Sequence, residues 1–194
     1  MQVSRTVSYF FLKATAFLLL ALGRKRAALA RFDAMLVSAP FDRHALSSRA
    51  HVLAQLEDRH AAVVALEALT RHHPHHGAAW FNLGYLLHEA GCAGAAESAF
   101  RRAIALEPEM DRAWYGLGLL LIQSRRLDEA ALALTRNTEL QPMSPFGWYQ
   151  LARVQADRQQ PDAALRIIAS LKGFEPRVAA QFERETGLRV APTQ

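Results

Sequence analysis

The sequence predicts an all-α solenoid, a stack of antiparallel helix pairs of equal length. Three observations predict it. Five of the eight prolines (Pro40, Pro74, Pro108, Pro142 and Pro176) stand 34 residues apart. Ala28, Ala62, Ala96, Ala130 and Ala164 keep the same interval, and so do the large residues four places after them, Phe32, Leu66, Phe100, Leu134 and Ile168. The three tryptophans, Trp80, Trp114 and Trp148, keep it too. Repetition at a fixed interval of a few tens of residues marks stacked supersecondary units that bury their apolar sides on one another.

Each interval reads as two helices. Trp80, Leu83, Gly84 and Leu87 fall at i, i+3, i+4 and i+7, one face of a first helix. Glycines 91 and 94 punctuate "EAGCAG". Ala96, Phe100 and Ala103 mark the face of a second helix, and Pro108 ends the unit because proline cannot continue a helix. Small residues where the two helices touch let their backbones approach closely. The same pattern divides the chain into an N-terminal arm, 1–8, and five units, 9–42, 43–76, 77–110, 111–144 and 145–178. A capping helix and tail follow at 179–194, with the helix itself expected over about Arg177 to Thr186 and Phe182 on the tryptophan beat. The polar "QFERE" suits the closed end of a stack.

The motif W-x2-L-G … A-x3-F-x2-A-x4-P resembles the tetratricopeptide repeat. The third unit carries every signature position; the fourth has Leu134 for the aromatic and Asn137 for the second alanine; the fifth has Ala152 in the glycine slot. The second is weaker, with Leu46 and Arg49 in the tryptophan and leucine slots, and the first is convincing only in its second helix. The resemblance implies a right-handed superhelix whose first helices line a concave groove that receives a partner segment. Carried over position by position, it assigns Phe81, Asn82, Tyr85, Arg112, Tyr115, Leu119, Phe146, Tyr149 and Arg153 to that groove. Asn82 would hydrogen-bond a peptide backbone, and Arg112 and Arg153 would receive a carboxylate. The family's clamp for acidic chaperone tails needs lysines that this chain lacks: Ser47, Phe81, Tyr115 and Tyr149 occupy the fifth position of their units. The expected ligand is therefore more apolar, an amphipathic helix or an extended hydrophobic segment.

Composition narrows the function classes. Of 194 residues, 51% are hydrophobic and 21% charged, which suits a packed core rather than a disordered chain. The single cysteine, Cys92, allows no internal disulfide and no cysteine-based zinc cluster. Arginine supplies most of the net charge of +5, and with the abundant alanine this suits a GC-rich bacterial genome. Basic pairs such as Arg101-Arg102 and Arg125-Arg126 are interspersed with acids, a pattern of solvated helix faces that argues against nucleic acid. There is no Gly-rich phosphate loop, and "HEAGC" has Cys92 where a zinc peptidase needs its second histidine. No enzyme and no cofactor are expected.

Two stretches stand apart. "RHHPHHG" places His72, His73, His75 and His76 around the repeat proline Pro74, so it is first an inter-repeat turn. Four clustered imidazoles also offer a weak metal or pH-responsive site, although no i, i+4 pair completes a rigid shell. The second stretch is "VSYFFLKATAFLLLAL", Val7 to Leu22, apolar all the way round except at three residues. It reads as a signal-like segment of a secreted or periplasmic protein, as a membrane span, as a helix wrapped by its own neighbours with Ser4 to Ser8 as cap, or as the first repeat helix packing inward on Phe32 and Met35 with its outer face docked elsewhere. The last carries the most weight, because Lys13 interrupts the run, no cleavage motif follows, and the run is short for a bilayer. Its outer residues, Phe10, Phe11, Phe17, Leu18 and Leu20, are then expected to dock on a membrane protein, the bilayer interface or a second copy. The basic "GRKR" behind it favours the inner face of a cytoplasmic membrane. The expectation as a whole is a non-catalytic binding and scaffolding protein that helps assemble a multiprotein complex.

Overall fold

The computed structural model describes residues 2–189. Met1 of the expected arm and residues 190–194 of the expected tail lie outside the described residues. The fold is all-α, with eleven helices and no strand among the described residues. The chain divides into two compact units, 1–99 and 100–194.

The first unit holds α1 (Gln2–Ala21), α2 (Lys25–Ser38), α3 (Arg43–Gln55), α4 (Arg59–His72), α5 (Gly77–Glu89) and the start of α6 (Ala93–Leu106). From α1 to α5 each helix packs on the next. Ala16 of α1 meets Ala28, Phe32 and Met35 of α2 in one fully buried cluster with Ala45 and Val52 of α3. A second cluster joins Leu46 and Leu53, Leu66 and Leu69, and Leu83 and Leu86. Burying each such side chain is worth about 1.5–3 kcal/mol. Asp42 and Asp58 cap α3 and α4, accepting from Ala45 N at 2.7 Å and Ala61 N at 3.1 Å.

The second unit holds the rest of α6, then α7 (Asp111–Gln123), α8 (Leu127–Leu140), α9 (Pro145–Asp157), α10 (Pro161–Phe174) and α11 (Pro176–Thr186). Here glycine sets the helix spacing. A Cβ on Gly116 would stand 2.8 Å from the Phe100 ring, and one on Gly118 2.8 Å from the buried Leu134 side chain. The last helix begins one residue before the expected Arg177, ahead of the unit boundary drawn at 178. It opens at Pro176 itself, with Glu175 as the only link from α10. Proline at the first helical position forfeits no hydrogen bond, since that N–H has no partner in the helix.

Two local bonds explain the period. The indole of Trp80 donates to Pro74 O at 3.0 Å, Trp114 to Pro108 O at 2.8 Å, and Trp148 to Pro142 O at 2.9 Å. The tryptophan therefore pins the turn that brings the chain into its own helix. Within each pair the first helix ends on a left-handed residue, at Gly23, Glu57, Gly91, Arg125 and Gln159. The following N–H closes back on the helix, as when Arg126 N donates to Leu121 O at 3.0 Å and Gln160 N to Gln155 O at 2.9 Å.

Three of these five residues are not glycine, and an L side chain is strained there. Glu57→Gly, Arg125→Gly and Gln159→Gly are each expected to raise stability by about 0.5–1 kcal/mol, read from urea unfolding midpoints at unchanged slope. A uniform loss across the three would show that glycine's unfolded-state entropy outweighs the strain.

Candidate functional site

In the second unit α7 and α9 bring Tyr115, Phe146 and Tyr149 together around two clefts. One, of about 360 Å³, lies among Tyr115, Phe146, Tyr149 and Gln150 on one side and Glu175, Val178 and Gln181 of the last helix and its link on the other. The second, of about 250 Å³, lies among Arg112, Tyr115, Asn137, Gln141 and Phe146. Tyr115 and Phe146 border both. Phe146 stands 69% exposed at the second position of α9, where nothing in the core requires an aromatic. Tyr115 is half-buried; burial raises its hydroxyl above the ordinary phenol range, and a hydrogen bond with Gln150 opposes that. Leu119 is half-buried one turn along α7, outside both cleft linings, and Arg112 is exposed at the start of α7.

Arg153 was expected to wait for a carboxylate. The chain supplies one: Glu185 of α11. Arg153 Nη1 reaches Glu185 Oε2 at 3.3 Å, and the Tyr149 hydroxyl donates to the same oxygen. The guanidinium carbon lies 5.9 Å from the Tyr149 ring centroid, a cation–π distance. Gln181 donates to the other carboxylate oxygen at 2.8 Å. The Tyr149 hydroxyl and then the Gln181 amide hold the Glu185 carboxyl below the usual carboxylate range, while burial, and then the bond to Glu185, push the Tyr149 hydroxyl up. This clasp fixes α11 against α9, so the last helix walls the larger cleft. Sequence reasoning missed it because the polar residues of α11 read only as the solvated end of the stack.

In the first unit Asn82 and Tyr85 of α5 line a smaller cleft, about 140 Å³, with Ser47, His51 and Leu66. The Tyr85 hydroxyl donates to Glu89 at 3.0 Å. Phe81 is half-buried on the same helix and is not part of that lining.

The histidine turn is built into the preceding turn. His72 stacks on Phe41 with centroids 3.9 Å apart, and His73 Nε2 lies 2.6 Å from Phe41 O. His75 is exposed, and His76 precedes α5 as its N-cap without a side-chain capping bond. Among the described residues no three metal-ligating side chains come together.

On α1 the expected inner face is present. Tyr9, Leu12, Leu19 and Leu20 pack around the Phe32–Met35 cluster, and the Tyr9 hydroxyl donates to Asp42 Oδ1 at 2.8 Å. Burial, then Asp42, push that hydroxyl up to about 12. Leu20, expected on the outer side, is therefore on the inner one. Phe10, Phe11, Phe17 and Leu18 are 63, 67, 45 and 60% exposed. Among the described residues no helix is long and apolar enough to cross a membrane.

Comparison with known proteins agrees with this architecture. A family model described as "Tetratricopeptide repeat" matches residues 47–96 and 89–145, together about half of the 194-residue chain. No curated protein matches the chain. A crystal structure of MamA superposes with a TM-score of 0.81 at 17% identity, over 95% of this chain and 98% of that one. A tetratricopeptide repeat protein from Parabacteroides merdae gives 0.81 at 20% identity, over 93% and 74%. YrrB, described as a TPR protein with an unusual peptide-binding site, gives 0.76 at 22% identity, over 87% and 88%. The chain belongs to the tetratricopeptide repeat family, whose fold is that of a protein–protein interaction module.

Proposed function

We propose that this protein is a non-catalytic adaptor that assembles a multiprotein complex. The aromatic clefts of the second unit hold an apolar partner segment, an amphipathic helix or an extended strand. The outer face of α1 docks the protein elsewhere, at the inner face of a cytoplasmic membrane. One observation carries the first half: Phe146, exposed and unneeded by the core, stands between two clefts that Tyr115 also borders. Exposed aromatics beside ready pockets are what hot spots are made of. The peptide-binding site in the description of YrrB supports the same use of the fold. The Arg153 side chain is held by Glu185, so a carboxylate on the partner would compete with Glu185 for it.

Peptides selected from a random display library for binding to the full chain provide the test. Phe146→Ser should weaken the selected peptides by about 30-fold, a hot-spot loss of about 2 kcal/mol, with the melting temperature unchanged. Selected peptides indifferent to both Phe146→Ser and Tyr115→Ala would place binding elsewhere.

A further inference from the structure

The exposed face of α1 is uniform in a way the rest of the surface is not. Phe10, Phe11, Phe17 and Leu18 are exposed, with Ala14 and Ala21 among them, and Leu22 continues the face at 64% exposure. At 100° per residue these positions fall within one arc of about 140°. Among residues 8–22 no polar side chain interrupts the arc. Lys13 and Thr15 flank it, half-buried.

Charge is segregated onto the same end of the sequence. Residues 1–32 contain Arg5, Lys13, Arg24, Lys25, Arg26 and Arg31 and no acid; the first acidic residue is Asp33. The whole chain has 23 basic and 18 acidic residues, net +5, so residues 33–194 have 17 and 18, net −1. All of the protein's excess positive charge therefore belongs to the segment that carries the apolar face. Arg24, Arg26 and Arg31 are exposed, and Lys25 Nζ reaches Gln55 O at 3.4 Å.

These two facts choose among the occupants. A second copy seated face to face would bring two acid-free basic segments together, and like charges oppose such a pair. A helix spanning the bilayer is not available among the described residues. A monolayer rich in anionic headgroups meets both needs. The apolar arc enters the boundary between headgroups and acyl chains, and the arginines behind it meet lipid phosphates. We propose that α1 lies flat in the interface of an anionic bilayer, holding the rest of the chain at the membrane surface. This rests on the docking role proposed above for α1 and names its partner as lipid.

Sedimentation of the full chain with vesicles tests it, using phosphatidylcholine alone and phosphatidylcholine mixed with an equal part of phosphatidylglycerol. The mixed vesicles should bind at least about tenfold more tightly, and raised salt should erase the difference. Phe11→Ser with Leu18→Ser should abolish sedimentation with both. Arg24→Glu with Arg26→Glu should lower binding to the mixed vesicles by about fivefold per residue or more and leave binding to the neutral ones. Phe146→Ser should change neither. Failure to bind the mixed vesicles, or equal binding to both, overturns the proposal. Self-association that the Phe11/Leu18 pair removes, without vesicle binding, assigns the face to a second copy. If vesicles fail yet the same pair loses a co-purifying protein, the docking role survives with a protein as occupant and only the lipid assignment falls.

Discussion

Replacing Gly147 with alanine is expected to destabilise the second unit by about 2 kcal/mol, and adding Asn137→Ala is expected to restore it. A Cβ on Gly147 would stand 2.1 Å from Asn137 Oδ1 and 3.2 Å from Thr138 Cγ2. Asn137 is 5% exposed and donates to Asp111 O at 2.9 Å, so it has no room to yield without breaking that bond. Overpacking plus a lost buried hydrogen bond sets the magnitude, after the gain from alanine's better helix propensity. The other units show the remedy. The same two positions hold Met35 with Ala45, Leu69 with Ala79, and Ala103 with Ala113. Only Asn137 is paired with glycine. The double variant recreates the Ala103–Ala113 pair and should be at least as stable as the wild type. A double-mutant cycle by urea unfolding reads the coupling. If the two losses simply add, the glycine is not there to make room for the asparagine.

That pair shows where the sequence was legible and where it was not. Periodicity names the positions that every unit uses, so the helix order, Phe32, Leu66, Phe100 and Leu134 in the core, and the turn at Pro74 could all be read. Part of the physics behind the beat was hidden, because nothing in the spacing says that an indole six residues after a proline donates to its carbonyl. The left-handed turn residue was read at Gly91 but not at Glu57, Arg125 and Gln159, where the residue type conflicts with the backbone it adopts. Asn137 was noticed as a departure from the motif, yet its partner lies ten residues away on the next helix. The clasp on Arg153 was out of reach for a different reason. Its carboxylate comes from α11, whose polar residues read only as the solvated end of the stack, and nothing in the period pairs a groove arginine with them.

Phe182→Ala is expected to produce the largest loss, about 3 kcal/mol or more, and to produce it locally. Phe182 is fully buried in a cluster with Ala152, Ala164, Ile168 and Leu171, and its ring meets Tyr149 edge-on at 6.3 Å. Truncating it leaves a cavity where α11 sits on α9 and α10. Stacked repeats hold their ends by one interface only, so the end helix should open without the rest. Hydrogen exchange should rise across α11 and the end of α10 and stay unchanged in residues 43–89. Equal acceleration along the whole chain would mean that the stack opens as one block, and the idea of a separable cap would be lost. With α11 gone, the larger cleft loses Val178 and Gln181, so peptides that depend on Phe146 should also weaken. The milder Glu185→Gln separates the clasp from the packing. Glu185 has its folded pKa depressed below the ordinary 4.5, chiefly by the Tyr149 hydroxyl. Its contribution is therefore fully present above that value and is lost as pH falls through the depressed one. Exchange in wild-type α11 should quicken as the solution becomes more acidic than pH 4.5, relative to the rest of the second unit, and Glu185→Gln should remove that acid step while leaving Phe182 in place. An acid step that persists in Glu185→Gln would assign it to another carboxylate and leave the clasp without a role in holding the cap.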